Sequence, residues 1–340
     1  PIIERTTMKI CIVGAGAIGG LLGARLAKAG EDITLVARGP QLEALKLRGL
    51  RFIEEDGSEF VVTPTAVGSI REAGPQDVIV LGMKAHQVAA VVPDLASAYH
   101  QDTIVLTAQN GIPYWYFMKH GGPHDGKVIE SVDPGGLVAK GIPIERVIAS
   151  VVYPAAEMIA PGVLKHIEGN RFSISEVDGA DTPRVRQLSE VLRNAGFKAP
   201  VTTDIRSEIW TKLWGNLSFN PISALTHATL VDICQFPMTR DLAAKMMTEA
   251  QQVGEALGIA FRVSLEKRIA GAEAVGKHKT SMLQDVEMGR APEIAALVGS
   301  IIELGCIAGV PTPHIQAVYA LVSLLAKTLA DEKGKLKIAQ

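Results

Sequence analysis

The chain has 340 residues, enough for two domains, and 47 % of them are apolar, so a full core can be built. Its 34 basic and 36 acidic side chains leave a formal net charge of −2 with no long basic run, which disfavours a nucleic-acid or anionic-membrane partner. No apolar run approaches a membrane span, PIIERTTMKI at the start has no apolar signal core, and the odd, widely spaced Cys11, Cys234 and Cys306 argue for buried, reduced thiols in a cytoplasmic protein rather than for disulfides.

Residues 9–30, KICIVGAGAIGGLLGARLAKAG, read as one compact unit. A short apolar strand from Lys9 to Val13 leads into a glycine turn. Leu21, Leu22, Leu26 and Ala29 then keep helical spacing, and Gly30 is a natural stop. DITLVAR, DVIVLGMK (77–84) and DTIVLTAQNG (102–111) follow as further strands, with HQVAAVVPDLASAY as a crossover helix. This alternation predicts a doubly wound parallel α/β sheet. EDGSEFVVTPTAV reads as a hairpin, and RVIASVVYPAAEM and GVLKHIEGNRFSISE as antiparallel strands around a turn at Pro161–Gly162. Past about residue 203 strand signals vanish and helical stretches such as RDLAAKMMTEAQQVGEALG and EIAALVGSIIELGCIAG take over. The expected domains are 8–203 and an all-α 204–340, with a frayed tail DEKGKLKIAQ.

Gly14, Gly16 and Gly19 form G-x-G-x-x-G between a strand and a helix, the context in which that pattern means dinucleotide binding. The first glycine permits the turn, the second lets backbone approach a pyrophosphate, and the third lets helix and strand pack closely. Ala17 and Ile18 then present helix N-terminal N–H groups to the phosphates. The second strand ends in Arg38, where an NAD site would carry an acid; a guanidinium there suits a 2′-phosphate and points to NADPH. Lys84 and Asn110 each follow an apolar strand, at the edge that faces a ligand in such sheets, although Asn110–Gly111 is also an ordinary turn signal.

EIWTKLWGNLSFNP (208–221) reads as a buried helix, yet Lys212, Asn216 and Asn220 recur every four residues and share one face. An α-keto acid accepting hydride needs a proton donor and oriented hydrogen bonds, which a partly desolvated lysine and asparagines supply. An i,i+4 ion pair with Glu208 is the plain alternative for the lysine. A second polar cluster holds Ser281, Asp285 and Glu293, where Ser281 or Thr280 also suits a helix cap. His120 and His124 lie in a Gly/Pro-rich stretch with no further clear ligand nearby and read as loop residues, with no metal site.

GAGAIGG, MKAHQ, QNG, IRSEIWTKLWGNLSFNPISAL and SMLQD followed by Glu293 are together far more specific than the glycine loop. Through them the chain resembles the ketopantoate reductase (2-dehydropantoate 2-reductase) family over nearly its whole length. The resemblance implies a Rossmann-type domain followed by a helical one, and NADPH-dependent reduction of the 2-oxo acid in pantoate synthesis. It makes Lys212 the general acid and Glu293 an essential glutamate that helps bind hydroxyls. Asn216, Asn220 and Ser281 become substrate-binding, and Asn110 lies near nicotinamide and substrate. Arg38 and Lys84 become phosphate contacts, and a homodimer is a family expectation. The 118–143 segment is longer than usual, which leaves open a paralogue acting on another 2-oxo or 2-hydroxy acid. A non-catalytic dinucleotide-sensing protein is the reading from another class, and the presence of both Lys212 and Glu293 speaks against it.

Overall fold

The computed structural model describes residues 7–336. Residues 1–6, most of the opening stretch that lacks a signal core, and residues 337–340, the end of the tail expected to fray, lie outside them. The chain divides into two compact units. The first runs to Gln109 and takes up Phe117–Val128 and Gly135–Ile205; the second takes Asn110–Tyr116, Ile129–Pro134 and the chain from Arg206 onward.

In the first unit the strands are β1 (Lys9–Val13), β2 (Asp32–Val36), β3 (Leu50–Ile53), β4 (Glu59–Val62), β5 (Thr65–Val67), β6 (Val78–Leu81), β7 (Ile104–Thr107), β8 (Val147–Val152), β9 (Ala155–Ala160), β10 (Val163–Glu168) and β11 (Phe172–Glu176). Its helices are α1 (Ala17–Lys28), α2 (Gly39–Arg48), α3 (Val92–Leu95), α4 (Leu137–Gly141) and α5 (Pro183–Asn194). Seven strands make one sheet in the order β11-β8-β7-β6-β1-β2-β5, parallel throughout except for β11 against β8. Every residue of β6, β7 and β8 is buried, as expected of strands covered on both faces. The remaining strands form a second sheet, β4-β3-β10-β9, in which two hairpins join through the parallel pair β3–β10.

Helix α1 packs against strands of both sheets, and small residues make that possible. A Cβ on Gly23 would lie 2.7 Å from a Leu35 methyl of the main sheet, and one on Gly20 would lie 3.3 Å from a Leu164 methyl of the second. The expected crossover helix over 86–99 is broken. A 3₁₀ stretch at Ala85–Ala90, the four-residue α3 and a second 3₁₀ turn at Ala96–Ala98 replace it, with Pro93 inside α3 unable to donate to a longer ladder. The Gly/Pro-rich 118–143 segment carries α4 behind two residues of positive φ, Gly135 and Gly136. His120 and His124 sit against the Phe117 ring, with centroids 5.3 and 5.5 Å away.

The second unit is helical: α6 (Ile205–Thr226), α7 (Leu230–Gln235), α8 (Pro237–Ala256), α9 (Leu265–Ala274), α10 (Ser281–Glu287), α11 (Ser300–Ala308) and α12 (Pro313–Asp331), with a π-helical turn at Ala295–Gly299 leading into α11. Trp210 and Trp214 anchor α6 from its buried side. Each indole N–H finds a partner at 2.7 Å, the Tyr116 hydroxyl and the Met247 carbonyl, so burial of the rings leaves no orphan donor. The buried Glu249 of α8 accepts from the backbone N–H groups of His314 and Ile315 at 2.9 and 3.0 Å and so caps α12. Within the tail, a Cβ on Gly289 would lie 2.5 Å from the Gly334 carbonyl oxygen, so the two backbones touch there. Cys11 and Cys234 are buried as expected, and burial pushes the Cys11 thiol up to about 12, which makes it inert. Cys306 is exposed instead, since α11 turns Ile301, Leu304 and Gly305 inward and leaves position 306 outside.

The glycine turn after β1 gives a stability test. A Cβ on Gly19 would lie 2.0 Å from the Gly14 carbonyl oxygen, whereas one on Gly16, in ordinary extended backbone, meets nothing within 4 Å. Gly19→Ala is expected to lower unfolding free energy by about 2–3 kcal/mol in denaturant titration, and Gly16→Ala to change it by under about 0.5 kcal/mol. Equal losses would contradict this assignment of roles.

Candidate active site

The three glycines of the first turn differ in what surrounds them. Gly14 has φ +102°, and a Cβ there would lie 2.9 Å from the Met83 backbone nitrogen. Gly19 brings α1 onto the turn, and Gly16 is exposed and faces open space. No side chain caps α1, so the backbone N–H groups of its first turn, around Ala17 and Ile18, are offered outward beside the exposed Gly16. This is a cradle for an anion of phosphate size, closed wherever a Cβ would intrude except at its outer face. The sheet order β6-β1-β2 places Lys84, after β6, and Arg38, after β2, on either side of it. Arg38 is exposed, its side chain making no hydrogen bond or ion pair with a described residue. The residues present therefore fit a dinucleotide phosphate.

In the second unit Lys212, on α6, is half-buried, and its Nζ donates to Asn110 Oδ1 at 2.6 Å. Burial lowers its pKa from 10.5 to about 8, with the Glu293 carboxylate pulling the other way. These three residues come from distant parts of the chain, and their backbone shows how they meet. Gly111 takes φ +84° and lies against the π-helical turn so tightly that a Cβ would be 2.3 Å from the Ala296 carbonyl oxygen, while Ile112 N–H donates to that same oxygen at 2.9 Å. Asn110 is thereby fixed to the segment that begins with Glu293. A π-helical turn beside such residues is a frequent mark of a functional site.

Asn216 and Asn220 follow Lys212 at one-turn intervals. Asn220 is 5 % exposed, yet neither amide makes a hydrogen bond to a described residue. Amides without a protein partner keep their hydrogen-bonding capacity for a ligand. Ser281 is exposed at the start of α10, and the cap there is Thr280, whose hydroxyl accepts from Leu283 N–H at 3.2 Å. Asp285 is ion-paired with Arg290 at 3.1 Å. The structure thus joins Lys212, Asn110 and Glu293, places Asn216 and Asn220 at one-turn intervals from Lys212, and shows no hydrogen bond from Ser281 to them.

Several supporting residues escape sequence reasoning. A Cβ on Gly82 would lie 3.0 Å from the Gly14 carbonyl oxygen, so the glycine after β6 packs on the glycine turn. Gln41 donates to the Ala15 carbonyl at 3.0 Å and Gln109 to the Leu81 carbonyl at 2.7 Å, tying down the ends of β1 and β6. The LGMK stretch carries a readable signal in its glycine at a strand end; the glutamines carry none.

Comparison with known proteins places the whole chain in one family. The family model for "Ketopantoate reductase PanE/ApbA" matches residues 10–179 and that for its C-terminal part matches 204–326. A 2-dehydropantoate 2-reductase of Mesorhizobium japonicum is 53% identical over 328 residues, 96% of this chain and 99% of that one. A provisionally named ketopantoate reductase from Ralstonia solanacearum MolK2, solved by crystallography, superposes with a TM-score of 0.91 at 39% identity, covering 96% of this chain and 99% of its own. A ternary structure of D-mandelate dehydrogenase with NADH and anilino(oxo)acetate, at 23% identity and a TM-score of 0.81 over 95% of this chain and 99% of its own, shares the fold. With its two family models, an α/β sheet unit and a helical unit, the chain belongs to the ketopantoate reductase family, oxidoreductases that act on a CH–OH group.

Proposed function

We propose that this protein reduces ketopantoate, a small 2-oxo acid, to pantoate with NADPH, and that Lys212 is the general acid. The observation that carries the reading is the half-buried Lys212 ammonium, hydrogen-bonded to Asn110 and brought to a pKa of about 8. A lysine at 10.5 is a poor proton donor near neutrality, and one near 8 is matched to the task. The name of the Mesorhizobium relative supports the substrate, and Arg38 beside the glycine turn supports a cofactor with a 2′-phosphate.

When bound, the dihydronicotinamide supplies a hydride to the carbonyl carbon. The carbonyl π pair moves onto oxygen, where Lys212 Nζ delivers a proton and is left as the neutral amine. Asn110 holds Nζ in place through its side-chain oxygen. The amides of Asn216 and Asn220, unpartnered in the protein, orient the substrate oxygens, and Ser281 assists from the start of α10. Glu293 accepts from a substrate hydroxyl and keeps Lys212 protonated by its charge. Backbone N–H groups of the Gly14–Gly19 turn bind the pyrophosphate, with Lys84 offsetting its negative charge, and Arg38 pairs with the 2′-phosphate.

The test is NADPH oxidation with ketopantoate, followed across pH. Because Lys212 must enter protonated, kcat/KM is expected to be level below about 8 and to fall tenfold per pH unit above it. Glu293→Gln removes the charge that raises this pKa, so the falling limb moves to lower pH. Lys212→Ala should cut kcat by about 10²–10⁴-fold while dinucleotide affinity stays within about 2-fold. A limb that survives Lys212→Ala unmoved would remove the lysine from the reaction.

The cofactor assignment has its own check. Arg38→Ala should raise KM for NADPH by about 10-fold or more and leave that for NADH unchanged. Parallel changes with both cofactors would mean that Arg38 does not read the 2′-phosphate.

A further inference from the structure

Arg268 of α9 has no role in the reading above. Its guanidinium lies over Gly215 of α6, so close that a Cβ on Gly215 would be 2.3 Å from Nη2 and 2.9 Å from Cζ. The helical unit's other arginines are accounted for. Arg206 donates to the Tyr116 carbonyl at 2.8 Å, Arg240 pairs with Glu273 at 3.0 Å, Arg290 pairs with Asp285 at 3.1 Å, and Arg262 is exposed. The Arg268 side chain is half-buried and makes no hydrogen bond or ion pair with a described residue. Desolvation alone pulls its pKa down, with no anion to oppose it. A guanidinium taken partly out of water without compensation is costly, and a bound anion would remove that cost.

Its position says which anion. Gly215 is the third residue after Lys212 and the neighbour of Asn216, and residues three apart on a helix share a surface. Gly215, the seat of the guanidinium, is therefore within one turn of the proton donor along α6. A 2-oxo acid carries its carboxylate on the carbon next to the reacting ketone. One Nζ hydrogen of Lys212 is held by Asn110, another is needed at the ketone oxygen, and Glu293 repels the carboxylate. A separate cation with a planar fork matches it in charge and shape.

We propose that Arg268, seated on Gly215, is the anchor for the substrate carboxylate. The proposal rests on the 2-oxo acid reading above and adds a specificity-determining residue to it. Gly215 is part of the device, since any side chain there would displace the fork.

The experiment compares wild type, Arg268→Gln and Arg268→Lys on ketopantoate and on its neutral primary amide, with dinucleotide binding followed by fluorescence quenching as the check on folding. Arg268→Gln should raise KM for the acid about 10–100-fold with kcat within about 3-fold, and change KM for the amide by less than about 2-fold. Should Arg268→Gln lose dinucleotide binding, Arg268→Lys decides. A point charge without the fork should raise KM for the acid about 3–10-fold and leave the amide unchanged. An unchanged acid KM, or equal effects on acid and amide, would overturn the anchor while leaving the reductase reading intact. A wild type that binds dinucleotide but reduces no 2-oxo acid would overturn both.

Discussion

A lysine ammonium drawn part-way out of water must be held by groups placed close to it, and in the helical unit that requirement orders everything around Lys212. Helix α6 cannot rotate to return the ammonium to solvent, because Trp210 and Trp214 are buried with both indole N–H groups engaged. The compensating groups come from elsewhere in the chain. Asn110 arrives on a turn whose glycine fits flush against Ala296, and Glu293 enters just before the π-helical turn that contains Ala296. One backbone contact thus sets the position of both the hydrogen-bond acceptor and the opposing charge. Burial still outweighs the carboxylate, which leaves the lysine near 8 rather than at 10.5.

The first unit meets an electrostatic demand by a different route, through backbone rather than side chains. Its anion cradle comes from removing atoms: no Cβ at Gly14, Gly16 or Gly19, and no capping side chain on α1. Such a site has fixed geometry and partial charge, so it needs no desolvated ionised group. The lysine site has the opposite character, with one strong charge whose protonation state changes during the proposed reaction. In the proposed function, binding and proton transfer therefore fall to different kinds of structure, which is why glycines mark one and a polar stripe on an apolar helix marks the other.

Much of this is legible in the sequence because local signals coincide with local structure. The strand–glycine–helix unit, the apolar runs of β6 and β7, both hairpins and the helical texture past residue 203 all report structure formed by near neighbours in the chain. What escapes is non-local or sterically specific. The parallel pairing of β3 with β10, which turns two hairpins into one sheet, has no local signature. Nor has the transfer of Asn110–Tyr116 and Ile129–Pro134 to the helical unit, where a division at one residue number is too simple. Position 93 spoils the crossover helix although its apolar pattern favours one. At 280–281 the sequence offers two hydroxyls for one cap, and only backbone geometry selects Thr280 over Ser281.

The charges within α6 and its surroundings make a final point about selectivity. In the proposed site Lys212 and Arg268 bring two positive charges and Glu293 one negative, so these three residues hold one uncompensated cation before substrate binds. A monoanionic 2-oxo acid cancels it, whereas a neutral ketone leaves it and a dianion overshoots. In a half-buried setting each such imbalance is costly, since charges there are poorly screened. A preference for monoanions would then come from the sum of charges around one helix face, with the unpartnered amides of Asn216 and Asn220 free to distinguish one monoanion from another by shape and hydrogen bonding.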